Sequence, residues 1–119
     1  MENNELKEVL DNPRLARLGD AYVNFLLSLA LTQVTGSPVG IKVSDRTLFE
    51  AAKKSGIRAL LPRRMKRGQV ANVVEALIVN SWLNKSFSIE DMIQILSKHL
   101  DNLPDAVAKL LDEVTKKGK

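Results

Sequence analysis

The sequence predicts an all-α fold, and three observations lead there. Apolar residues recur at helical spacing through successive segments, capping and turn residues fall between those segments, and only 38–43 has strand character. The 119 residues suit a single helical domain spanning 1–119. Aromatics make up only 4% of the chain, so Leu, Val, Ile and Ala must supply its core.

Residues 5–10 offer one or two helical turns before Pro13 stops them. A long helix follows over 14–34, closed by Thr35, Gly36, Ser37 and Pro38. Ser44 is an N-cap with Asp45 in the first turn, and the helix 45–54 ends on Lys53 and Lys54 before Gly56, in keeping with its dipole. Pro62 opens a turn into a helix from about 64 to 83. Ser88 and Asp91 form a capping box for a helix over 89–99. Leu103 and Pro104 introduce the last helix, 105–115. Residues 1–13 and 116–119 are expected to be flexible.

Composition excludes several chemistries. With no cysteine there is no disulfide, thiolate metal site or cysteine nucleophile, and a reducing, cytoplasmic setting fits. The first residues are acidic and polar, unlike a targeting segment. The longest apolar stretch, 21–31, is broken by Asn24 and Ser28 and falls short of the roughly 20 residues a membrane span needs. It reads as a buried helix, and no membrane partner is expected. His99 is the only histidine and lies near a helix end, where a surface or capping role suffices. Phe25 and Trp82 sit among aliphatics at helical spacing and are expected in the core.

Charge is unevenly placed. Lys53, Lys54, Arg58, Arg63, Arg64, Lys66 and Arg67 fall in a segment without Asp or Glu, and the rest of the chain is net −3 against an overall +4. Such a cluster is either a solvated helix face or a surface for an anionic partner.

Two acids stand where helices should be apolar. At about 100° per residue, Asp20 lies against the apolar stripe of its helix, with Arg17 and Asn24 to one side. The stretch 71–83 is apolar nearly all round and should be central, yet it carries Glu75, with Asn72 one turn earlier. A lone buried carboxylate is costly, so such groups are paired or bind metal. One reading pairs Asp20 with Arg17 and Glu75 with an arginine of the basic segment. The other has oxygen ligands from Asp20, Glu75 and Asn72 holding Mg²⁺ or Mn²⁺.

The residues around these acids bear a resemblance to a known family. Leu15-Ala16-Arg17-Leu18-Gly19-Asp20-Ala21-Tyr22-Val23 resembles the Leu-Gly-Asp signature of the ribonuclease III endonuclease domain. Ala71-Asn72-Val73-Val74-Glu75-Ala76-Leu77-Ile78 is similar to its second acidic motif, and Val43-Ser44-Asp45 with Leu48 and Ala51 to a helix start between them. The resemblance runs over about 15–96. It implies a helical, homodimeric, Mg²⁺-dependent endonuclease of double-stranded RNA, with Asp20 and Glu75 as catalytic metal ligands. Arg63, Arg64, Lys66 and Arg67 would then hold the RNA backbone, since A-form RNA is read largely by shape and phosphate contacts. Two acids usual in the family are replaced, by Ala16 and Asn72, and its small Gly after Leu-Ile is Val79. This reduced set resembles the minimal Mini-III branch, and the length leaves no room for a separate double-stranded-RNA-binding domain. The alternative is an inactive relative serving as an RNA-binding or subunit-interaction module. The last helix would pack on the core or on a second subunit.

Overall fold

The computed structural model describes residues 3–116. It contains α1 (Asn3–Leu10), α2 (Pro13–Thr35), α3 (Asp45–Ser55), a 3₁₀ turn (Ile57–Leu60), α4 (Arg67–Leu83), α5 (Ile89–Ser97) and α6 (Leu103–Lys116). Among the described residues there is no strand, and the fold is all-α as predicted.

The caps explain the boundaries. Pro13 opens α2 as well as ending the preceding turn, because proline tolerates the first helical turn; the Asn12 side chain accepts from Leu15 N–H at 3.0 Å. Gly36 and Gly56 close α2 and α3 in the left-handed region, with φ of 77° and 86°. α4 starts at Arg67, later than expected, because Arg63 and Arg64 lie in a turn. Gln69 Oε1 there accepts the Lys66 N–H at 2.9 Å. α5 stops at Ser97, short of His99. α6 begins at Leu103, with Asn102 Oδ1 accepting from Asp105 N–H at 3.1 Å and Pro104 inside the first turn.

α4 is the central helix. It packs against α1, α2, α3 and α6, and ten of its residues are buried, from Val70 to Ser81, so it has no polar face. α2 crosses it on one side and α3 on another, and α6 closes over α3 and α5. Residues 3–10, expected to be flexible, form α1 and place Val9 in the core at 4% exposure. Lys116 ends α6 and pairs with Glu113 at 3.9 Å; residues 117–119 of the expected tail lie outside the described residues.

The core assignment of Phe25 and Trp82 is corrected. Phe25 is 55% exposed and Trp82 39%, with Trp82 stacked on Tyr22 at 5.5 Å between ring centroids. Phe25 lies on a face of α2 left open to solvent and Trp82 is covered only in part, by Tyr22 of α2, a matter helical spacing does not reveal.

The segment 39–43 is extended but is not a strand. Asn24, Ser28 and Thr32, one turn apart along α2, take over its backbone pairing. Asn24 Oδ1 accepts from Val43 N–H at 2.7 Å. Ser28 Oγ accepts from Ile41 N–H at 2.8 Å and donates to the Ile41 carbonyl at 3.3 Å. Thr32 Oγ1 does the same with Val39, at 2.9 and 3.2 Å. The polar residues that interrupt the apolar run of α2 thus pin the connection that delivers α3.

Candidate functional site

Gly19 determines where the two acids meet. It is buried at the α2–α4 crossing, and a Cβ there would collide with the Glu75 carbonyl group. Only glycine permits this approach of the two backbones. The next residue of α2 is Asp20, so the close crossing brings its carboxyl beside that of Glu75.

Glu75 is 3% exposed. Burial first, then a hydrogen bond with Asp20 and repulsion from Asp20 and Asp45, push its carboxyl up from 4.5 to about 8, against a smaller opposing effect of Lys42. The protonated form donates to Asp20. Asp20 itself has a half-exposed side chain; Asn24 Nδ2 donates to it at 3.3 Å, and Lys42 Nζ lies 4.0 Å away. Asn24 thus links Asp20 to Val43 and holds both the acid and the segment before α3.

Asp20, Glu75 and Asn72 line one cleft of about 500 Å³, together with Pro13, Ala16, Arg17 and Asp45. Asn72 is exposed and Ala16 half-buried. Asp45 is the residue that sequence reasoning missed as a site member. It was legible only as a favourable acid in the first turn of α3, whose N-cap Ser44 accepts from Thr47 N–H at 3.1 Å. Its proximity to Glu75 follows from α3 packing on α4, a tertiary contact.

The salt-bridge reading of the acids finds no arginine. Among the described residues neither Arg17 nor any arginine of the basic segment forms an ion pair with Asp20 or Glu75, and the long Lys42 contact is the ion pair that Asp20 makes. Nor do three acidic, histidine or cysteine side chains group closely enough among the described residues to enclose an ion unaided.

The basic segment divides in two. Lys53 pairs with Glu50 at 3.5 Å and Lys54 with Asp105 at 2.9 Å. Arg58 donates to the carbonyls of Leu61, Pro62, Arg63 and Met65 at 3.0–3.5 Å and so props the turn before α4. Arg63, Arg64, Lys66 and Arg67 remain exposed, with no ion pair among the described residues. They surround the start of α4. Arg67 and Glu75 are eight residues apart on that helix, about 12 Å along its axis. His99 lies past the end of α5, its N–H donating to Leu96 O at 3.0 Å, away from the cleft.

Fold and cleft together define a helical domain with an acidic pair at its central crossing. Residues 13–118 match the family model of ribonuclease III, and the chain belongs to that family. Membership points to a function related to RNA endonucleolysis. No curated protein matches the chain. No helix among the described residues is long and apolar enough to cross a membrane.

Proposed function

We propose that this protein is a metal-dependent endoribonuclease that cleaves double-stranded or structured RNA, with Asp20 and Glu75 as its catalytic acids. The observation that carries the reading is the buried Glu75 carboxyl held against Asp20 with no arginine paired to either acid among the described residues. Two carboxyls in hydrogen-bond contact repel once both ionise, and a bound cation relieves this.

The donor set fits Mg²⁺ or Mn²⁺. Such ions keep several waters and need only one or two carboxylates, so the lack of a closed three-acid cluster is no obstacle. Asp20 and Glu75 would hold the ion, with the Asn72 amide oxygen a turn away. When bound, it supplies Lewis acidity toward the phosphodiester and the attacking water. The protein's own residues do the rest. Glu75 must release its proton before it ligates. Asn24 and Lys42 fix the Asp20 carboxyl. Arg63, Arg64, Lys66 and Arg67 neutralise RNA phosphates beside the cleft.

The reading includes a homodimer, so that paired sites cut both strands. Leu18 (45% exposed) and Phe25 lie seven residues apart on one face of α2, and Trp82 stacks beside them on Tyr22. An exposed apolar patch of this kind supports an interface with a second copy. The cytoplasm, where structured RNA is processed, is the proposed location.

A binding or subunit-interaction module that lost the chemistry is the second reading, supported by the neutral Ala16 and Asn72 in the cleft. Incubation of a long RNA duplex with wild type and Asp20→Asn, in Mg²⁺ and in chelator, separates the two. Cleavage by wild type in Mg²⁺ alone supports the enzyme. Binding without cleavage in Mg²⁺ or Mn²⁺ leaves the module.

A further inference from the structure

A second cavity, of about 220 Å³, adjoins the acidic cleft, and Pro13, Ala16 and Asn72 line both. The small Ala16 side chain leaves the junction open. The volume is below the ~300–1,000 Å³ of pockets for drug-sized ligands, so it suits a single ring system. Its walls are of two kinds. Met65, Val73 and Pro13 are apolar surfaces, and Asn12, Gln69 and Asn72 carry side-chain amides.

The orientation of two of those amides is set by the backbone. Asn12 Oδ1 accepts from Leu15 N–H at 3.0 Å, and Gln69 Oε1 from Lys66 N–H at 2.9 Å. Each oxygen is therefore engaged, and the NH₂ group of each is the part left for a ligand. Asn72 lines both cavities, and Glu75 follows it by three residues, about 4.5 Å along the helix axis, so a nucleotide with its phosphate in the cleft has the cavity next to it. Apolar side chains against which a base can pack, with hydrogen-bond donors beside them, are what an unstacked base requires.

We propose that this cavity is a subsite for one unpaired nucleobase with a carbonyl acceptor, uracil, guanine or cytosine, of the RNA whose phosphate lies at the Asp20–Glu75 pair. The inference rests on the proposed RNA reading and adds to it a preference for RNA with a bulged or looped base beside the bound phosphate. A fully paired duplex keeps its base edges engaged and offers nothing to the amides.

The test measures dissociation constants in chelator for an RNA duplex with one bulged uridine and for the same duplex fully paired, by fluorescence anisotropy. Wild type should bind the bulged form at least about tenfold tighter, the sum expected of two net hydrogen bonds and apolar contact. Met65→Trp fills the cavity, and the ratio should fall to near one. Gln69→Glu keeps the oxygen that accepts the Lys66 N–H but replaces the NH₂ donor with a second oxygen, and should lower the ratio even if the tryptophan variant fails to fold. The side-chain NH₂ resonances of Asn12 and Gln69 should shift in NMR spectra with the bulged duplex and not with the paired one. A wild-type ratio near one overturns the subsite, as does a ratio that survives Gln69→Glu with unmoved NH₂ resonances. If the paired duplex is bound at a ratio of one and is cut once Mg²⁺ replaces the chelator, only the subsite fails. If neither RNA binds, the RNA reading fails with it.

Discussion

Glu75→Gln isolates the buried carboxyl, because glutamine keeps its shape and can still donate to Asp20 but never ionises. In the folded protein Glu75 releases its proton near pH 8, whereas in the unfolded chain it does so near 4.5. Between those values the unfolded state binds fewer protons, so wild-type stability falls as pH rises. The contribution is fully present below about pH 4.5 and lost above about pH 8. At about 1.4 kcal/mol per pH unit this gap is worth at most roughly 4–5 kcal/mol, and with water reaching the cleft about 2–4 kcal/mol should be seen. Thermal melts of both proteins at pH 5, 6, 7 and 8 subtract all other titrations. The two should melt together at pH 5, and the variant should melt about 5–15 °C higher at pH 8. Added Mg²⁺ should reverse part of this at pH 8 for wild type only, by about 1.4 kcal/mol at ten times its dissociation constant. A difference that stays constant with pH, or a variant that melts lower throughout, would refute the reasoning and revive a structural ion pair at Glu75.

Four further outcomes are expected. Asn72→Asp restores a carboxylate one turn from Glu75 and should tighten Mg²⁺ binding in calorimetric titration; unchanged affinity would place the ion elsewhere. Changing Arg63, Arg64, Lys66 and Arg67 together to Ala should leave the melting temperature near wild type, weaken RNA binding, and flatten the slope of log affinity against log salt by about 3–4. Gly19→Ala forces a methyl group against the Glu75 backbone and should destabilise the fold by about 1–3 kcal/mol or more, read from denaturant midpoints. Light scattering at tens of micromolar should report a dimer for wild type and a monomer for Phe25→Arg, and a strictly monomeric wild type would remove paired cleavage.

The parts of this protein that depend on neighbours in the chain were legible without coordinates. Ser44, Gly56, Ser88 and the apolar period of 71–83 specify helix ends and a buried helix through local hydrogen bonds and spacing, which act over one to four residues. The motifs around Asp20 and Glu75 likewise carried the family resemblance, but that Gly19 permits a close helix crossing emerged only from the packing. Tertiary packing decided the rest. It added Asp45 to the cleft from a third helix, and it engaged Lys54 with Asp105 and Arg58 with backbone carbonyls while leaving four basic residues exposed. It also left Phe25 exposed and Trp82 only partly covered, since periodicity gives a helix its apolar face but not the element that covers it. The raised pKa of Glu75 belongs to the same class: it arises from burial and from charges 30 and 55 positions away in sequence, which only the packed chain brings together.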